Sequence, residues 1–74
     1  MNYLAYYEVL ESSGFSISDD LEKLKGQWCF AVRIFEIPDE LTMEEFNSWE
    51  KPRFPKVKEQ FKQVYSQGNL IHEK

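Results

Sequence analysis

QWCFAVRIFEI, residues 27–37, is the stretch whose reading decides the fold, because its residues fit two periods at once. Trp28, Cys29, Phe30, Val32, Ile34 and Phe35 are aromatic, β-branched or small apolar residues, the composition of a strand. Taken with the segment before it, however, Leu21, Leu24, Trp28, Ala31, Val32 and Phe35 keep a helical spacing across Gly26. A strand here carries apolar groups on both faces, and a chain of 74 residues has little material to cover both. A strand also needs a neighbour, for which Phe15–Ser18 and Leu70–His72 are the short candidates. The sequence therefore predicts a mainly α, small compact helical domain with helices near 2–13, 18–25, 42–50 and 55–67. The alternative is an α+β fold with a short hairpin using 27–37.

Toward the N-terminus, Tyr3, Tyr6, Tyr7 and Leu10 fall at i, i+3, i+4 and i+7, with Leu4 beside them and Glu8 and Glu11 on the other side. That spacing predicts an amphipathic helix ended by Ser12, Ser13 and Gly14, with Gly14 in the left-handed C-terminal position. The β-propensity of tyrosine argues mildly the other way. Ser18 is a candidate cap for a short helix to Lys25, with Asp19 and Asp20 in the first turn and Gly26 as its end.

Toward the C-terminus, Thr42 followed by Glu45 forms a capping box, and Leu41 with Phe46 occupies the flanking positions of a hydrophobic staple. The helix so started runs from Met43 to about Glu50 and buries Phe46 and Trp49. Pro52 and Pro55 stop it and impose an extended elbow through Arg53 and Phe54. Pro55 suits the first position of a last helix, Lys56 to about Gln67, striped by Val57, Phe61, Val64 and Tyr65. Gly68 ends it, Leu70 folds back as in a Schellman motif, and the tail 71–74 is loose.

One domain, 1–74, accommodates all of this, without a repeat or linker to divide it. Cys29 is the only cysteine, so no internal disulfide forms. With no signal-like segment and no apolar run near the ~20 residues of a membrane span, the expectation is a soluble, cytoplasmic protein that does not engage a membrane.

Charge is divided along the chain. Residues 1–50 carry eleven Asp or Glu against Lys23, Lys25 and Arg33, a balance of −8. Residues 51–74 carry six Lys or Arg against Glu59 and Glu73, a balance of +4. The densest acidic run, Glu36, Asp39, Glu40, Glu44 and Glu45, is a candidate binding surface for a basic partner, or an imitation of nucleic-acid phosphates. Its spacing matches no EF-hand template, so neither a metal nor a cofactor is expected. Aromatic residues make up 16% of the chain, an efficient way to build a core from few residues. Rings that stand on the surface instead serve as binding anchors, for which Tyr3, Tyr6, Tyr7 and Trp49 are the candidates. Lys51, Arg53, Lys58 and Lys62 form a candidate basic surface, with Lys58 and Lys62 aligned one turn apart on the last helix. A net charge of −4 opposes direct nucleic-acid binding through it.

Catalysis finds no constellation. Cys29 sits among apolar neighbours with no cation to lower its pKa, and the one histidine, His72, lies in the tail. The three glycines are isolated, so no phosphate-cradling loop is present. The reading is a non-enzymatic, small acidic protein-binding module that occludes or modulates a larger partner with a basic surface. One version is a phage or mobile-element inhibitor of a nucleic-acid-handling or defence protein. The alternatives are a self-assembling structural or regulatory subunit, in which 27–37 pairs across a dimer, and a weak nucleic-acid binder acting through the basic C-terminal third.

Overall fold

A computed structural model describes residues 1–27 and 30–71. Its elements in chain order are β1 (Asn2–Val9), β2 (Ser12–Ser18), α1 (Leu21–Gln27), β3 (Ala31–Ile37), α2 (Met43–Asn47), α3 (Phe54–Gln60) and β4 (Lys62–Gln67). The strands form one antiparallel sheet in the order β2-β1-β3-β4. Strand accounts for 41% of the described residues and helix for 28%, which overturns the mainly α expectation.

The correction begins at the N-terminus. The expected helix over 2–13 is β1 and the start of β2, joined by a tight turn. The residues Leu4, Tyr6 and Glu8 face one side of the sheet, and Tyr3, Ala5 and Tyr7 the other, so the period is two. Leu10, the fourth member of the helical spacing, is 80% exposed in the turn. Tyrosine's preference for a pleated surface wins because β1 is paired along both edges, with β2 and with β3.

The stretch that decided the fold takes its strand form over Ala31–Ile37, though in the middle of a four-stranded sheet and not in a short hairpin. Being internal, it has no free edge to pair across a dimer. Both its faces are covered, each by a different helical layer. On one face Leu4, Tyr6, Phe35 and Ile37 pack with Leu41, Phe46 of α2, and Phe54 and Val57 of α3. On the other, Ala5, Val32 and Ile34 pack under Leu24 of α1, with Tyr3, Tyr7, Leu21, Val64 and Tyr65 at the margin. Three short helices suffice because only the two central strands need double cover. Trp28 and Cys29, on which the helical spacing and the buried-thiol reading partly rest, lie outside the described residues, as does His72.

The helix expected near 18–25 is α1, displaced toward the C-terminus. Asp20 caps it by accepting from the Lys23 amide at 3.1 Å, while Ser18 accepts from the Asp20 amide, and Gly26 lies within the helix. At α2 the Thr42 hydroxyl accepts from the Glu45 amide at 3.0 Å, and Leu41 and Phe46 are both buried as the staple requires. Only the last expected helix divides. Pro lies in its first turn, Phe54 begins α3 and Arg53 is already in the right-handed helical region (φ −94°, ψ −26°), so neither residue of the expected elbow is extended. Phe61 turns to extended backbone, and residues 62–67 become β4 with a bulge against Ile34/Phe35. Gly68 does have positive φ (74°), but it follows a strand, and a Cβ there would collide with the Phe30 carbonyl.

Candidate functional site

Strand register determines which charges meet. Ser18 and Glu36 both lie opposite Tyr3, on either side of β1, so β2 and β3 leave the sheet at the same end. The connection after β2 brings Asp19 and Asp20 there, and the connection after β3 brings Asp39 and Glu40, both exposed. The short α2 adds Glu44 and Glu45 in its first turn, where the helix dipole favours acids. The acidic run thus gains members from a distant part of the sequence. Cations share this end: Lys62 stands opposite Glu36 in the β3–β4 register, the terminal amine of Met1 lies 3.5 Å from Asp39, and Lys23 follows Asp20 in the first turn of α1.

Among the expected aromatic anchors, Trp49 alone lines a cleft with residues of the acidic run. Its ring leans on Phe46 at 5.0 Å and stacks nearly parallel to Phe61 at 6.2 Å, leaving it half-buried. Trp49, Glu40 and Glu45 line one open cleft of about 250 Å³, together with Pro38, Leu41, Gln60 and Phe61. Tyr6 is instead a core residue, stacked on Phe54 at 4.1 Å and only 3% exposed. Tyr3 and Tyr7 are partly buried on the opposite face, beside α1.

The four expected basic residues do not form one surface. Lys58 lies on α3 with its ammonium 5.1 Å from the Phe54 ring centre, whereas Lys62 is on β4, so they do not align on a helix. Lys51 and Arg53 flank a second groove of about 520 Å³, lined also by Tyr6, Ser13, Gly14, Phe15, Pro52 and Phe54. Arg53 is fixed there: its guanidinium covers the rings of Phe46 (4.7 Å) and Phe15 (5.1 Å) and donates to Asn47 Oδ1 at 3.0 Å. Among the described residues neither Lys51 nor Arg53 forms an ion pair.

Sequence reasoning passed over Glu8, which is fully buried. Its carboxylate accepts from the Tyr6 hydroxyl at 3.1 Å and from the Ile71 amide, tying the far end of the chain to the first strand. A period-two reading of Leu4, Tyr6 and Glu8 exposes the signal, since it puts a carboxylate on the same face as two core residues. Also missed were Pro38, which follows β3, and Gln60 and Phe61, which are brought to Trp49 by the return of α3.

Among the described residues, no group of three or more His, Cys, Asp or Glu is placed to hold a metal ion. No helix among them is long and apolar enough to cross a membrane. No protein-family model, curated protein or solved structure matches the chain.

Proposed function

We propose that this chain is a protein-binding module that docks its acidic end on the basic surface of a larger protein and acts by occluding or modulating it. The observation that carries the reading is the meeting of Trp49, Glu40 and Glu45 in one open cleft. An indole face attracts a cation, and two carboxylates at its margin supply charged acceptors. The cleft therefore suits a Lys or Arg side chain projecting from a partner. Asp39 and Glu44 beside it, and Asp19 and Asp20 across the sheet end, steer a cationic surface toward it.

In its sharper form the partner is a nucleic-acid-handling or defence protein, of the kind that phages and other mobile elements inhibit. Its phosphate-binding groove would then receive carboxylates in place of phosphates. The test is a binding assay against a panel of purified nucleases, polymerases and nucleic-acid-binding defence proteins, using the intact chain and the variant Glu40→Lys/Glu45→Lys. Both substituted side chains are exposed, so circular dichroism of the variant should match that of the parent. The expected result is a complex that weakens as salt rises and is lost in the variant. A panel without any such complex, or complexes indifferent to the charge reversal, overturns the proposal.

A further inference from the structure

We infer that the chain pairs with a second copy of itself along the outer edge of β2, joining two four-stranded sheets into one. This surface is distinct from the Trp49 cleft, none of whose lining residues lies on β2.

The two edges of the sheet are built differently. The β4 edge carries Lys62 and a bulge, both of which obstruct pairing with another chain. The β2 edge, SSGFSIS, has no charge, no proline and no bulge over its seven residues. Among the described residues no backbone hydrogen bond reaches it from outside the sheet. An undefended edge is a template for another strand.

Charge and side-chain size select a second copy as the occupant. Consider an antiparallel pair with Ser16 on the two-fold axis. Phe15 then stands opposite the partner's Ile17, and Ile17 opposite the partner's Phe15. Both lie on the sheet face that packs on α2 and α3, and an aromatic residue opposite a β-branched one is a favourable cross-strand pair. Gly14 faces the partner's Ser18, a small pair. Ser13 faces the partner's Asp19, on the same sheet face as the groove that Ser13 shares with Lys51 and Arg53. The carboxylate that follows β2 in one copy therefore meets the free Lys51 of the other, twice by symmetry. No like charges stand opposite each other within the paired segment.

Sedimentation velocity of the intact chain across micromolar concentrations tests the inference. The expected result is a dimer. Its dissociation constant should rise about tenfold or more in Lys51→Asp and in Asp19→Lys, and recover when the two are combined. Both side chains are exposed, and circular dichroism checks that each variant keeps the fold. A monomer throughout the range overturns the inference. So does a dimer that ignores the single variants, or one that the charge swap does not restore. Glu40→Lys/Glu45→Lys should leave this equilibrium unchanged, so failure here is separate from failure of the proposed docking at the acidic end.

Discussion

The phenol of Tyr7 on β1 covers Gly14 on β2, its oxygen only 2.5 Å from the point a Cβ at residue 14 would occupy. Gly14 has no positive φ, so its role is to admit the ring and not to turn the chain. Gly14→Ala should therefore destabilise the protein by about 1–3 kcal/mol through overpacking. Tyr7→Leu, which removes the outer part of the ring, should reduce that cost, with a coupling of about 0.5–3 kcal/mol. Urea unfolding of both single variants and the double variant measures it. Simple additivity would show that the ring does not depend on the missing side chain.

Glu8 connects residues 63 positions apart, since the Ile71 amide donates to its buried carboxylate. In Glu8→Ala, both that amide and the Tyr6 hydroxyl lose an acceptor. The expected cost is about 1–3 kcal/mol, the range for leaving a buried polar group without its partner. Native-state hydrogen exchange gives the local readout. The Ile71 amide should speed up more than amides in β3, whereas uniform acceleration would mean that the loss is only global.

Thr42 is the clearest local signal in the chain, and the structure keeps one half of the reciprocal box, the Glu45 amide on the Thr42 hydroxyl. Thr42→Ala should cost about 1 kcal/mol. Thr42→Ser should cost much less, because it retains the accepting oxygen. Thermal unfolding of the two variants decides, and equal losses would deny the cap any role.

What could be read in advance follows from range. The Leu41–Phe46 staple and the Thr42 cap act within one turn, so both are visible in the sequence. The strands are not, because β1 is stabilised by pairing with β3, about thirty residues away, and its alternation coincides with a helical spacing at Tyr3, Tyr6 and Tyr7. The objection that both faces of 27–37 cannot be covered failed for a specific reason. The seven-residue α1 and the short α2 and α3 lie on opposite faces, and only β1 and β3 need both. The second half of the last helix was lost to β4, where Val64 and Tyr65, read as a helical stripe, pack on the α1 face. The candidate site was legible in Glu40, Glu45 and Trp49 by residue type. Their juxtaposition was not, because it depends on Leu41 turning inward and on α3 returning Phe61.

Arg53 supplies the last test. Its guanidinium lies over the Phe15 ring on the edge strand and the Phe46 ring on α2, and it also donates to the Asn47 side chain. It thus links the helical layer to β2 through simultaneous contacts with two rings and an amide that a point-like ammonium does not reproduce. Arg53→Ala should lose about 0.5–2 kcal/mol of stability. Arg53→Lys should recover less than half of that, although it keeps the charge. Chemical denaturation compares the two with the parent. If Lys restores full stability, charge alone is sufficient and the shape of the guanidinium contributes nothing.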